Sequence, residues 1–248
     1  MRTVGLLLLI LPISLSAFSQ APEQQAPPAP TIEQCGDLST CVKLAEGGNT
    51  QAQYLVGRWY QYRDTSKEHF KEAAKWYRLA ADSGHREAQY LLANLYLFGQ
   101  GVPGSYSLYV EWLEKSANNS YPNAEYLLGD HYAKSAYGDS FNLYPDYKNA
   151  FIWYLRAAEH DQVMAQAYVG YYYLKGLGVK KDLVSAYYWL GLARDRGMGP
   201  ASAILRENKK TFSRDEIAKA EELIRQWHLA HPNDKPVNIP ESAPYRFR

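Results

Sequence analysis

The sequence has little excess charge of either sign. Its 248 residues include 27 Lys plus Arg and 26 Asp plus Glu. Proteins that bind nucleic acids depend on a positive surface that neutralises phosphates, so this balance argues against a nucleic-acid partner. Long apolar runs are also missing: a membrane-spanning helix needs roughly 17 to 25 apolar residues, and Tyr, Lys, Asp and Glu interrupt every run beyond the N-terminus.

Common catalytic and phosphate-binding motifs are absent from the sequence. It contains no Gly-x-Ser-x-Gly, Ser-x-x-Lys, His-Glu-x-x-His or Gly-x-x-x-x-Gly-Lys pattern. Its six histidines lack the pairing with cysteine that is typical of metal ligands. We therefore predict a protein that is not an enzyme, binds no metal and carries no cofactor.

Cysteine is scarce as well, and both copies, Cys35 and Cys41, lie at the start of the region that is predicted to fold. Residues six positions apart on one helix point to different faces, so a disulfide requires Cys35 to precede the helix, which Gly36-Asp37 permits. We predict a Cys35–Cys41 disulfide that staples the N-terminal end. Two free thiols, or a disulfide to a partner, are the alternatives.

The N-terminus has the pattern of a secretory signal peptide. Met1-Arg2-Thr3 carries positive charge, Val4 to Leu15 is mostly apolar, and small residues follow. We predict a signal peptide over residues 1–19, with cleavage after Ser19 or Ala21. The expected product is a periplasmic or secreted protein that is not inserted in the membrane once the signal is removed, and an uncleaved anchor is the alternative.

The sequence does contain an internal repeat. Three series of residues recur with two intervals of 36 residues and one of 41. The series are Trp76, Trp112, Trp153 and Trp189; Ala52, Ala88, Ala124 and Ala165; and Tyr60, Tyr96, Tyr132 and Tyr173. The shared intervals indicate four tandem units, with five extra residues between Tyr132 and Trp153.

Each unit contains two helical patterns. A first helix begins near Ala52 and its equivalents, and a second helix carries the tryptophan, which we interpret as an interhelix packing residue rather than as part of a ligand-stacking ladder. The small residues predicted at the closest helix crossing are Gly57, Ala93, Gly129 and Gly170. The residues at the junctions between units, where a helix end favours left-handed backbone, are Gly48, Gly84, Ser120, Asp161 and Gly197.

Several motifs carry a family resemblance. The first unit contains Ala-x-x-x-Val-Gly-x-x-Tyr from Ala52 and Ala-x-x-Trp-Tyr-x-x-Ala-Ala from Ala73, and Gly-x-Gly-Val occurs at Gly99 and Gly176. These motifs resemble the Sel-1-like repeat family, which is related to tetratricopeptide repeats. The turn at residues 62–67 lacks the glycines, and residues 133–147 form a longer connection.

The resemblance implies an all-α, right-handed α-solenoid of about four helix-turn-helix units with terminal capping helices. Asp37 to Glu46 is expected to cap one end, and Ser213-Arg214-Asp215-Glu216 is a capping box that opens the helix at the other. We predict the solenoid over residues 34–230, a Pro/Gln-rich linker over 20–33 and a flexible Pro-rich tail over 231–248.

The resemblance also implies a scaffold that binds a peptide segment or a protein domain, with first helices lining its concave face. If Ala52, Val56 and Tyr60 point inward, a helical wheel places positions 54, 58 and 61 on the opposite side. Tyrosine is abundant, with 22 copies. Our candidate partner-binding residues are Tyr54, Arg58, Tyr90, Asn94, Tyr126, Asp130 and Tyr171. Half-buried packing is the alternative role for these tyrosines.

Two other functions stay open. Aromatic residues in a row also suit a cell-envelope glycan, so a glycan-binding module is the second hypothesis. The third is an enzyme, because cysteine-rich relatives of the resembled family have been linked to β-lactam hydrolysis or binding. This chain lacks both their paired cysteines and a recognisable nucleophile with its base, so we favour an exported scaffold.

Overall fold

The computed structural model describes residues 37–63, 66–134 and 145–232. These ranges contain eleven α-helices, one 3-10 turn and no strand. The helices are α1 Leu38–Glu46, α2 Thr50–Arg63, α3 Lys67–Asp82, α4 Arg86–Phe98, α5 Tyr106–Asn118, α6 Pro122–Ala133, α7 Tyr147–Glu159, α8 Val163–Lys175, α9 Leu183–Asp195, α10 Gly199–Glu207 and α11 Arg214–Ala230. None of these described helices has both the length and the apolar character that crossing a membrane requires.

The helices pack in the order in which they follow one another along the chain. Unit 1 consists of α2 and α3, unit 2 of α4 and α5, unit 3 of α6 and α7, and unit 4 of α8 and α9. Within each unit the first helix packs on the second, and the second packs on the first helix of the next unit. This arrangement confirms the predicted all-α solenoid of helix pairs.

Both ends of the array are covered by further helices. Helix α1 packs on α2, and α11 folds back onto α9. The predicted capping box opens α11, because Ser213 Oγ accepts the Glu216 N–H and Glu216 Oε2 accepts the Ser213 N–H. In α1, Cys41 is buried and disulfide-bonded. Its predicted partner, Cys35, lies outside the described residues, as do the segments predicted to be the signal peptide and the linker and most of the predicted C-terminal tail.

All five predicted junction residues adopt left-handed backbone. The φ values are 88° at Gly48, 86° at Gly84, 57° at Ser120, 64° at Asp161 and 88° at Gly197. A side-chain-bearing residue in this conformation costs roughly 1–2 kcal/mol relative to right-handed backbone. Ser120 and Asp161 nevertheless keep the junction geometry, so the repeated feature of the junctions is the turn itself and not the glycine.

The two helices of a unit cross closely where a small residue on the first helix faces a large one on the second. An added Cβ would lie 2.6 Å from Tyr77 at Gly57, 2.4 Å from Tyr154 at Gly129 and 2.7 Å from Leu190 at Gly170. Unit 2 has Ala93 in place of glycine and Leu113 in place of tyrosine, and both are fully buried. The predicted crossing positions are therefore confirmed. In units 1 to 3 the two sizes compensate: glycine lies opposite the larger tyrosine, and alanine lies opposite the smaller leucine.

The repeated tryptophans join each unit to the one before it. Trp76 is buried in a cluster with Cys41 and Ala45 of α1, and Trp112 is buried in a cluster that includes α3. Trp153 and Trp189 are partly buried against the apolar clusters of units 2 and 3. This placement confirms that the tryptophans are interhelix packing residues.

Candidate partner-binding surface

The candidate residues from the sequence lie along the first helices α2, α4, α6 and α8, and we call them the first-helix row. Its members are Tyr54, Arg58, Tyr90, Asn94, Tyr126, Asp130 and Tyr171. Arg58 is exposed, and all the others except Tyr126 are half-buried. Each exposed or half-buried member presents part of its side chain to solvent, as a contact surface requires.

Tyr126 is the exception, because only 9% of its surface is exposed. Its ring centroid lies 5.9 Å from that of Tyr154 in the same unit and 5.9 Å from that of Tyr168 in unit 4. Tyr126 therefore contacts aromatic rings of both its own unit and the next unit. The structure corrects our expectation for this residue: Tyr126 is a packing residue, and we omit it from the proposed contact surface.

The exposed surface extends one residue beyond the position that the helical wheel indicates. An ideal wheel selects position 61, seven residues after Tyr54, and its equivalents differ in exposure: Leu97 in unit 2 is 38% exposed, but Leu174 in unit 4 is only 2% exposed. The next position carries Tyr62 and Phe98, which are 69% and 68% exposed. The surface thus follows the i, i+4, i+8 diagonal of the helix.

Most polar groups of the first-helix row already have partners within the protein. Arg58 Nη1 lies 3.4 Å from the Tyr54 hydroxyl, and its guanidinium lies over the Tyr54 and Tyr62 rings at 5.7 and 5.4 Å. Asp130 accepts a hydrogen bond from the Tyr154 hydroxyl and pairs with Lys134. These contacts hold the side chains in place and reduce what they can offer to a partner.

Asn94 in unit 2 differs from its equivalents. Within the described ranges its side-chain amide makes no hydrogen bond, although an amide has two donors and an acceptor. Tyr90 lies one turn before it, and Leu97 and Phe98 lie one turn after it. Leu97 is 38% exposed and Phe98 is 68% exposed. We call Tyr90, Asn94, Leu97 and Phe98 the unit 2 patch.

The buried tyrosines beneath the first helices are neutral over the physiological pH range. Burial raises the pKa of Tyr77, whose hydroxyl donates to Gln61 Oε1 at 2.6 Å. Burial likewise raises the pKa of Tyr154 well above its usual range, and the adjacent Asp130 carboxylate raises it further. The charge near this surface therefore comes from Arg, Lys and Asp side chains and not from tyrosinate.

A buried glutamine contact repeats between units. Its donors are Gln53, Gln89 and Gln166, whose Nε2 atoms donate to the carbonyls of Ala45, Ala81 and Ala158 at 3.1, 3.0 and 3.4 Å. Gln89 Oε1 also accepts from Asn119 Nδ2 at 2.9 Å. Unit 1 has the shorter Ser83 at the position of Asn119, and Gln53 Oε1 finds no hydrogen-bond donor among the described residues.

Unit 3 replaces this glutamine with Glu125, a fully buried carboxylate. Its oxygens lie 3.1 Å from Arg156 Nη2 and 2.7 Å from His160 Nδ1. Arg156 also donates to the Ala117 carbonyl at 3.1 Å, the contact that a glutamine makes in the other units. This cluster was not predicted from the sequence, although the replacement of a repeated glutamine by Glu125 was a visible signal of it.

No set of three or more His, Cys, Asp and Glu side chains within the described ranges is arranged to hold a metal ion. Glu125 forms its ion pair with Arg156 and lies within hydrogen-bond distance of His160. The surface thus offers aromatic, aliphatic and amide groups, which are suited to contact with another macromolecule.

Four consecutive segments match the family model described as Sel1 repeat: residues 50–85, 86–121, 122–162 and 163–198. Together they cover more than half of the chain. A Sel1 repeat protein from Oxalobacter formigenes is 29% identical with a TM-score of 0.63, and the match covers 70% of this chain and 49% of that one. A protective antigen present in uropathogenic Escherichia coli strains, which displays an SLR fold, is 25% identical with a TM-score of 0.50, with 87% and 55% covered. The chain thus spans about half the length of these two proteins. No curated protein matches it.

Proposed function

The chain belongs to the Sel1 repeat family, and from this premise we propose that it is an exported scaffold whose first helices hold a peptide segment or protein domain on a concave face. Proteins of this repeat family generally act as scaffolds for protein–protein interaction. Tandem units place equivalent residues side by side, so one extended partner can contact several units at once.

The observation that carries the proposal is the unit 2 patch. Exposed aromatic and aliphatic groups surround an amide that has no internal hydrogen bond among the described residues. A peptide backbone offers the complementary N–H and C=O groups, and Asn94 can pair with both. Aromatic anchors next to a satisfied polar contact are typical of the residues that dominate binding energy. We therefore infer that Phe98 and Tyr90 anchor the partner and that Asn94 fixes its backbone.

Export is the second part of the proposal. It is supported by the signal-peptide pattern over residues 1–19 and by the disulfide-bonded state of Cys41. Disulfides persist in oxidising compartments such as the bacterial periplasm and the extracellular space, and they are rare in the cytosol. Expression with and without residues 1–19, followed by fractionation, tests this part: retention of both forms in the cytoplasm contradicts export.

The binding proposal is tested with a variant that carries Tyr90→Ala, Asn94→Ala and Phe98→Ala. We expect the immobilised parent protein to retain a protein partner from an envelope extract and the variant to lose it. Truncation of a single dominant anchor commonly costs about 2 kcal/mol, roughly 30-fold in affinity. The matched control carries Lys75→Ala and Glu114→Ala, two exposed positions on second helices, and should bind like the parent.

Circular dichroism confirms first that the variants are folded. A folded triple variant that retains the same partner as the parent contradicts the assignment of the unit 2 patch. Retention of sugar polymer instead of protein supports the glycan-binding alternative and contradicts the scaffold.

A further inference from the structure

The first helices of units 1, 2 and 4 begin with a side-chain cap, and in unit 2 this cap is a histidine. Asn49 Oδ1 accepts the Ala52 N–H at 2.8 Å, and Gln162 Oε1 accepts the Ala165 N–H at 2.9 Å. At the equivalent position His85 Nδ1 accepts the Ala88 N–H at 3.3 Å. Among these three caps, histidine is the one whose charge changes near neutral pH.

The second ring nitrogen of His85 reaches the preceding unit. Nε2 lies 2.9 Å from Gln51 Oε1 on α2. Because Nδ1 accepts a hydrogen bond from a backbone N–H, the ring proton of neutral His85 lies on Nε2 and is donated to Gln51. The ring also stacks on Tyr54, with centroids 4.4 Å apart and planes inclined by 21°. Neutral His85 therefore caps α4 and contacts two residues of unit 1.

A second proton on the ring prevents His85 Nδ1 from accepting the Ala88 N–H. It would place an N–H on Nδ1 directly opposite the Ala88 N–H, so that two donors face each other. It would also place a positive charge at the N-terminus of α4, where the helix dipole is positive. The carboxylate of Glu87, with Oε2 3.3 Å from Nδ1, is the acceptor to which the protonated ring can turn.

The surroundings of His85 favour its neutral form. Burial, the largest effect, lowers the pKa of His85; the Glu87 carboxylate opposes this, and Arg86 reinforces it. The helices packed against the ring contribute Gln51 and Tyr54 from α2, with Tyr77 of α3 behind Tyr54. Amide and tyrosine side chains carry no charge between pH 5 and about 8. Glu87 and Arg86 are therefore the charged groups that act on His85 among the described residues.

We propose that His85 is a pH-sensitive coupling between units 1 and 2, which caps α4 and holds Gln51 and Tyr54 when neutral and turns to Glu87 when protonated. A histidine with a lowered pKa in the folded state stabilises the fold above its unfolded value of about 6.5. This contribution is lost as the pH falls through the folded value. Acidification thus loosens the junction that positions Tyr54. Weaker partner binding on acidification also follows, and this consequence alone rests on the proposed function.

Amide hydrogen exchange of Ala88 tests the coupling directly, because this N–H is the group that His85 caps. In the full chain, we expect the protection factor of Ala88, corrected for intrinsic exchange, to fall severalfold as the pH is lowered from 7 to 5, because the protonated ring can no longer accept this N–H. The matched control is His85→Asn, because Asn49 already caps this position in unit 1. Its Ala88 protection should not change over this range.

Two further measurements extend the test. The pKa of the His85 ring, measured by NMR, should lie below that of a histidine model peptide. Glu87→Gln should lower this pKa further, because the negative charge that stabilises the protonated ring is removed. The coupling is overturned if Ala88 protection in the parent is constant with pH, or if His85→Asn shows the same fall as the parent.

Partner capture at both pH values separates this inference from the proposed function. If Ala88 protection falls with acid while no partner binds at either pH, the scaffold proposal fails and the coupling stands. If a partner binds through the unit 2 patch while Ala88 protection is constant, the coupling fails and the scaffold proposal stands.

Discussion

Replacement of Gly129 by Ala tests whether the close helix crossing depends on the absence of a side chain. The added Cβ would lie 2.4 Å from Tyr154 Cδ1 and 2.6 Å from Cε1, whereas carbon atoms in contact are about 3.5–4.0 Å apart. Tyr154 has little room to move away. It is fully buried, it stacks on Tyr168 at 4.7 Å, and its hydroxyl donates to Asp130 at 2.7 Å.

The expected magnitude is the difference between two effects. Overpacking a well-packed site typically costs about 1–3 kcal/mol. Ala in place of Gly restores roughly 0.4–1 kcal/mol, because the unfolded chain loses conformational freedom. We therefore expect Gly129→Ala to lower the free energy of unfolding by about 1–2 kcal/mol. For a protein of this size the melting temperature should fall by about 2–8 °C.

The assay compares thermal unfolding and urea unfolding at pH 7, monitored by circular dichroism. A second background, Tyr154→Leu, provides the control, because unit 2 already combines Ala93 with Leu113 at these two positions. Gly129→Ala should cost at least about 1 kcal/mol less in that background, since contacting residues couple by about 0.5–3 kcal/mol. Equal costs in the two backgrounds, or a Gly129→Ala protein as stable as the parent, would refute the steric explanation.

Three further changes test other contacts. Ser83→Asn should raise the free energy of unfolding by about 0.5–1.5 kcal/mol in urea titrations, because the amide can donate to Gln53 Oε1; an unchanged midpoint contradicts this. Cys35→Ser should lower the melting temperature under oxidising conditions and have no effect in reductant, and equal shifts in both conditions exclude the predicted disulfide. Glu125→Ala should lower the free energy of unfolding by about 3 kcal/mol, because it leaves the buried ion pair without its carboxylate. The double variant Glu125→Gln with His160→Asn reproduces the glutamine–asparagine pair of unit 2, and its free energy of unfolding should stay within about 1 kcal/mol of the parent. Equal losses in the two variants contradict the role of the buried ion pair.

The sequence by itself determined the features that are local or periodic. The 36- and 41-residue intervals predicted four units and the place of the extra residues. The left-handed junctions, including Ser120 and Asp161, and the small residue at each crossing were visible because every unit must make the same turn and the same close approach. The capping box at Ser213 was visible because its two hydrogen bonds join residues three positions apart.

The tertiary structure decided which residues of neighbouring units meet. Tyr126 contacts Tyr168, 42 positions later in the sequence, and no wheel of a single helix contains that information. Glu125 meets His160 across 35 positions, and His85 meets Gln51 across 34. Burial, ion pairing and the protonation of a cap depend on these distant neighbours. The repeat spacing predicts that equivalent helices of neighbouring units lie side by side. Which side chains touch is decided by how the two units pack together.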